Sequence, residues 1–194
     1  MILEGIVTSM DVSGALNIAP MGPIVDESMT TLHLRPFRTS TTYQNLAATG
    51  CGVFHVVDDV LLLAQAAVGT PDPVPELIPA RIIDGQVIAS ACRWYEFRVT
   101  EINDDNDRTD LMVDVVHSER LRDFFGFNRA RHAVLEAAIL VTRLHLLDAD
   151  DVLQQVAALS SPVRKTAGRR ELEAFNLLDR HIREHIARFR CPAS

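Results

Sequence analysis

Lysine is nearly absent from this chain: eighteen of its nineteen basic residues are arginine, a bias given no functional weight here. No apolar run approaches the roughly 18–20 residues that a bilayer-spanning helix requires; Ala137–Val141 is typical of the longest. The first residues, MILEGIVTSMDV, carry Glu4 and Asp11 and lack a basic segment followed by an apolar one, so no signal peptide is expected. Cysteine is scarce and odd in number. Cys51, Cys92 and Cys191 are widely separated, which predicts free thiols and a cytoplasmic location. The sequence also lacks a P-loop, a CxxC pair and a Ser/His/Asp order. Its TGCG at residues 49–52 has neither the third glycine nor the strand-turn-helix setting of a dinucleotide fingerprint. Nothing in it commits to hydrolysis.

What is present is an ordinary folded composition, 47% apolar and 23% charged over 194 residues, too apolar for disorder and long enough for one core with an appendage. The charge is unevenly spread. Residues 1–128 hold 8 basic and 18 acidic residues, whereas residues 129–194 hold 11 and 8. A polyanion such as nucleic acid would be repelled by the larger part, although a few local arginines suffice for a small anion.

Residues 2–10 and 15–21 read as strands joined by the turn DVSG, and residues 29–34 read as a third strand. Thr41–Ala48 turns helical and stops at Gly50, after which GVFHVV is a short buried strand. Asp58 is expected to cap a helix that ends at Gly69, and TPDPVPELIP to be an irregular connector. RIIDGQVI carries an Asp-Gly hairpin signal, and the run Val87–Ile102 pairs naturally with Asp110–His117 across NDDNDR. Six or seven locally connected strands predict a closed or nearly closed antiparallel barrel. After Phe127 the pattern becomes helical. A buried helix over residues 128–147 bears a polar stripe of Arg129, His132, Glu136 and Arg143; a shorter helix covers Asp150–Leu159, and SSPVRKTAG is a loop. Leu172, Phe175, Leu178, Ile182, Ile186 and Phe189 define a final amphipathic helix. The expected domains are residues 1–127 and 128–194.

Two segments invite a binding role. RPFRTSTTYQNL (Arg35–Leu46) sets two arginines beside four consecutive hydroxyl residues. Thr41 with Gln44 fits a capping box, which would make the stretch a capped turn. Equally, a helix start offers open amides and positive partial charge; Ser40, Thr41 and Thr42 add donors, and Arg35 and Arg38 add charge-assisted ones. Both readings stand on spacing alone. NIAPMGP (Asn17–Pro23) reads either as an edge-strand terminus that stops ladder pairing or as a rigid backbone platform for a flat ring. HIREH (His181–His185) formally fits a zinc-protease pattern, but no acidic ligand follows it. Surface histidines, and no metal, are the expectation. His55 reads as a satisfied core histidine, not a catalyst.

The order of these pieces resembles the flavin-reductase-like FMN-binding split-barrel superfamily: a strand, NIAPMGP, a strand ending in Arg-Pro-Phe, TSTTYQNL opening a helix, then GVFHVV. HVVDDVLLLA, ACRWYEF and DFFGFNRARHAVLEAAILVTRLHLL look like an archaeal and bacterial branch of it, a domain of unknown function with a helical C-terminal region. The resemblance implies an α+β fold, an antiparallel split β-barrel with a helical C-terminal subdomain, in a homodimer. It puts an FMN phosphate at Arg35, Ser40, Thr41, Thr42 and Asn45, and the isoalloxazine along Asn17, Ala19, Pro20 and Met21. It further implies a flavin-dependent oxidoreductase acting on a small molecule, with NADH or NADPH as electron donor, or else a non-catalytic FMN- or pterin-binding module serving as carrier, sensor or assembly factor. His132 and Glu136 are candidates for the substrate side, set against an internal ion-pair role.

Overall fold

The computed structural model describes residues 1–190, with side chains through Arg188. The predicted contribution of Phe189 and the thiol of Cys191 lie outside the described residues. Two compact units emerge, Met1–Asp58 with Pro73–Phe124, and Asp59–Asp72 with the residues from Phe125 onward.

The first unit is an antiparallel sheet built from β1 (Gly5–Met10), β2 (Leu16–Met21), β3 (Ile24–Val25), β4 (Thr31–Leu34), β5 (Cys51–Val56), β8 (Arg93–Asn103) and β9 (Asp110–Arg120). Their lateral order is β2-β1-β5-β8-β9-β4-β3. Leu3 N donates to Pro23 O at 3.1 Å and Val25 N to Met1 O at 2.8 Å. These bonds tie the β3 edge to the residues leading into β1, so the sheet curls back on itself as the resemblance implies. Val7, Leu32, Leu34, Leu46, Phe54, Phe97, Leu111 and Val113 are wholly buried inside. The turn DVSG forms as expected, because Asp11 Oδ1 accepts from Ser13 N and Ala15 N while Gly14 takes φ +86°.

A small hairpin, β6 (Leu77–Pro79) with β7 (Gln86–Ile88), covers the other face of β5 and β8. The expected irregular connector therefore contains a strand, with Pro79 at its end, where a missing N–H is tolerated. The expected RII arm is not strand. Instead the amides of Arg81, Ile82 and Ile83 donate to the carboxylate of Glu96 at 2.7, 2.8 and 3.2 Å. The run Val87–Ile102 likewise breaks at residues 89–92, between β7 and β8. Because hairpin and barrel core sandwich it, β5 is buried on both faces, which explains why GVFHVV shows no polar alternation.

The second unit holds α2 (Val60–Val68), α3 (Arg129–Val141), α4 (Ala149–Thr166) and α5 (Arg169–Arg190). Asp59, not Asp58, caps α2; Asp58 instead receives the Arg122 guanidinium. The long predicted helix ends at Val141, which leaves Arg143 outside the helical stripe. SSPVRKTAG is not a loop. Through Thr166 it continues α4 with Pro162 inside, a placement that ordinarily costs ~3 kcal/mol and is held by buried Val163. Phe175, Leu178, Ile182 and Ile186 are buried along α5, whereas Leu172 is exposed. No helix among the described residues is long and apolar enough to cross a membrane.

Asn128 joins two elements of this unit: its Oδ1 accepts from Ala130 N at 2.8 Å and Arg131 N at 3.1 Å, while its Nδ2 donates to Thr166 O at 3.0 Å. Asn128→Ala is expected to cost about 1–2 kcal/mol, read as an earlier thermal loss of helical ellipticity. An unchanged transition would contradict the cap.

Candidate functional site

The helix α1 (Thr41–Thr49) follows β4 and rests on β1, β2 and β8, with Leu46 sunk into the barrel core. It ends at Gly50, whose φ of +68° suits glycine and whose N–H donates to Leu46 O. At its start, the cap is Ser40, one residue earlier than the Thr41/Gln44 pairing predicts: Ser40 Oγ accepts from Tyr43 N at 3.1 Å and Ser40 O from Gln44 N at 3.1 Å. Among the described residues no acceptor meets the amides of Thr41 and Thr42. These are two open first-turn donors in the positive field of the helix terminus.

Beside them lies a buried polar cluster. Ser9, Thr42 and Asn45 are 2%, 3% and 5% exposed. Asn17 Nδ2 donates to Thr42 Oγ1 at 3.0 Å and to Ser9 Oγ at 3.4 Å, and Asn45 Nδ2 donates to Ser9 Oγ at 3.2 Å. Both hydroxyl oxygens act as acceptors in these bonds, which leaves both hydroxyl protons to give to a further acceptor. Of the residues singled out from the sequence, Asn17, Thr42 and Asn45 thus come together. Thr41 is exposed at the same helix start. Ser9 was missed. Its signal was available, because the turn at Asp11–Gly14 sets Ser9 opposite Asn17.

Ala19, Pro20 and Met21 lie on β2, an edge strand paired only to β1 in the sheet order. Pairing with β1 runs past Pro20 and ends at Gly5↔Met21, directly before Gly22 and Pro23, as the edge-strand reading expects.

The arginines stand differently from the hydroxyls. Arg35 Nε lies 3.5 Å from Asp110 Oδ1, which also meets His33 Nε2 at 2.7 Å. Arg38 Nη1 donates to Asp104 O at 3.3 Å, with Asp107 Oδ1 4.0 Å from its Nη2. Tyr43 Oη donates to Asp104 Oδ2 at 2.7 Å, a bond that holds the phenol above its ordinary pKa. Both arginines face solvent and acids, the arrangement expected of a capped turn; the donors at the helix start are the amides and hydroxyls.

In the helical unit, His132 and Glu136 are exposed one turn apart on α3, not members of an internal ion-pair network; the Phe127 ring meets the His132 ring edge-on with centroids 5.9 Å apart. Among the described residues no group of three or more His, Cys, Asp or Glu side chains is placed to hold a metal ion.

Against this geometry, comparison with solved structures finds an FMN-bound protein from Methanosarcina mazei at TM-score 0.80 and 22% identity, covering 93% of this chain and 94% of that one. A flavoredoxin from Methanosarcina acetivorans (TM-score 0.53, 12% identity, 61% of this chain and 68% of that one) is also similar. So is the styrene monooxygenase flavin reductase from Pseudomonas putida S12 (TM-score 0.52, 11% identity, 61% and 79%). These likenesses establish the flavin-reductase-like fold. No curated protein matches the chain. Residues 3–122 match the model of the protein of unknown function (DUF447) N-terminal domain, and residues 128–180 match the further model described as protein of unknown function (DUF447); the chain belongs to this DUF447 family.

Proposed function

We propose that the chain binds FMN and acts as a flavin-dependent oxidoreductase on a small molecule, as a homodimer. The observation that carries this reading is the donor set at the start of α1. Two open amides, Thr41 and Thr42, stand at the same helix start as the buried Thr42 hydroxyl, which Asn17 links to that of Ser9, a donor set suited to a phosphate monoester. Asn17 and Asn45 fix the hydroxyl orientations and hold the cluster rigid. Ser40, by capping Tyr43 N, holds the first turn in place. Arg35 adds charge once its half-exposed pairing with Asp110, worth about 0–1 kcal/mol, is exchanged for the phosphate. The outer edge of β2, from Asn17 to Met21, supplies fixed backbone groups against which a flat ring is oriented. Bound FMN would supply hydride or electron transfer. His132 and Glu136 are the substrate-side candidates on α3.

The fold likeness to an FMN-bound protein of the same family supports the cofactor, and the flavin-reductase neighbours support the redox role. Purified protein is expected to be yellow, or to turn so on adding FMN, and to sediment at twice the chain mass. A colourless protein that ignores added FMN overturns the reading. Thr42→Val is expected to weaken FMN by about 10–100-fold, the loss of one hydrogen bond to a charged acceptor, while riboflavin, which lacks the phosphate, changes far less. Equal losses for both would remove the phosphate from this helix. Anaerobic stopped-flow mixing with NADH and NADPH then separates catalysis from carriage. Rapid bleaching of the bound flavin supports an enzyme with a nicotinamide donor; no bleaching by either supports a flavin- or pterin-holding module.

A further inference from the structure

The helix start has two sides. Toward Thr42 and Asn45 it faces the donor cluster; toward Arg38 and Tyr43 it faces the loop between β8 and β9. That loop is bound closely to the segment leading into α1. Arg38 N donates to Asp107 O at 2.8 Å, and buried Thr109 donates to Pro36 O from its N at 3.0 Å and its Oγ1 at 2.8 Å. Arg108 Nε donates to Arg35 O at 3.2 Å, and its guanidinium lies 5.7 Å from the Phe37 ring centre. Tyr43, in the first turn of α1, holds the Asp104 carboxylate. The result is a rim of carboxylates beside the start of α1: Asp104, held by Tyr43; Asp107, open to solvent; and Asp110, the first residue of β9. Arg35 and Arg38 already lie against two of them.

We infer that this rim is a specificity device, which makes the site select the mononucleotide flavin FMN over the dinucleotide FAD; the inference rests on the FMN reading above. The two ligands distribute charge differently. The monoester phosphate of FMN places close to two negative charges inside the cradle. The pyrophosphate of FAD places one there and carries the second outward, together with the adenosine, toward the carboxylates. FAD therefore loses attraction at the amides and hydroxyls and meets repulsion at Asp104 and Asp107. Because Asp107 is 97% exposed in its side chain, the repulsive part is screened by salt.

The test is to titrate the full-length protein, freed of flavin, with FMN and FAD at low and high salt, alongside Asp104→Asn and Asp107→Asn. Asparagine at 104 keeps an acceptor for Tyr43, and the exposed Asp107 side chain makes a substitution there harmless to folding. Wild type is expected to bind FMN about tenfold or more tighter than FAD at low salt. High salt and each substitution should narrow that ratio severalfold through a gain in FAD affinity. Equal affinities in the wild type overturn the inference alone, as does a ratio unmoved by salt and by both substitutions. Failure to bind either flavin overturns the flavin reading beneath it and the inference with it.

Discussion

Replacing Glu96 with alanine is expected to destabilise the barrel unit by about 3–5 kcal/mol. Glu96 is fully buried on β8, and its carboxylate gathers four donors: the amides of Arg81, Ile82 and Ile83 and the indole Nε1 of Trp94 at 3.2 Å. Burial raises the pKa of this carboxyl, and the hydrogen bonds more than offset it, so the group sits below its ordinary value and is charged. Alanine would leave those donors without an acceptor and open a void under the β6–β7 hairpin. Glu96→Gln keeps the volume but points an NH2 at donor hydrogens, so a smaller loss, about 1–3 kcal/mol, is expected. Trp94 is the single tryptophan of the chain and bonds directly to Glu96, so its fluorescence follows denaturant unfolding at this locus. A loss below about 1 kcal/mol for the alanine variant would mean that the carboxylate is not what holds the 81–83 segment.

Glu96 also shows why part of the fold was illegible in the sequence. RIIDGQVI has the composition of a two-residue hairpin, and local propensity favours that answer. The outcome is decided by a carboxylate 13 to 15 residues further along the chain, which takes the three amides that a strand would need. Periodicity cannot register such a competitor. The Ser-Ser-Pro segment failed in the opposite sense: Pro162 reads as a breaker, yet buried Val163 and the Asn128 bond to Thr166 O hold the helix through it. Where the local signal and the tertiary demand agree, the structure follows the local signal. Gly50 and Gly69 end the helices they were expected to end, and the α5 stripe is buried from Phe175 to Ile186.

The candidate site divides along the same line. Spacing alone could place hydroxyls at a helix start, because capping and anion binding use the same geometry and both readings point to residues 40–42. It could not say which hydroxyl caps. The structure assigns the cap to Ser40 and leaves Thr42 in the buried cluster, since only Thr42 shares the inward face with Asn45. Asp104 and Asp110 were invisible as partners of this stretch. They lie more than sixty residues away, Asp104 in a loop whose acidic composition reads simply as a solvated turn and Asp110 at the start of β9.

His55 supplies the second large effect, a loss of stability on mild acidification. Its ring is fully buried between β1 and the β6–β7 hairpin, with Nδ1 donating to Ile6 O at 3.2 Å and Nε2 accepting from Ile88 N at 3.1 Å. That pair of bonds requires the neutral tautomer with hydrogen on Nδ1. A second proton would sit on Nε2, facing the Ile88 N–H, and would remove the acceptor while burying a charge. Burial, opposed only by the bond to Ile6, takes the imidazole down to about 4 from its ordinary 6.5. In this window the unfolded chain binds more protons than the folded one, so stability is fully present above about pH 6.5 and falls as pH drops toward 4. The loss approaches ~1.4 kcal/mol per pH unit and totals about 3 kcal/mol. His181, also lowered by burial, acts in the same direction, so the contribution of His55 is read as a difference. His55→Gln keeps an acceptor in reach of Ile88 but cannot titrate. Its stability, measured by denaturant unfolding at steps between pH 4.5 and 7, is expected to be lower than wild type at pH 7 and to fall less steeply below it. If the two curves instead run parallel through that range, the His55 proton is not the linked one, and the ring does not hold its two strands as a neutral bridge.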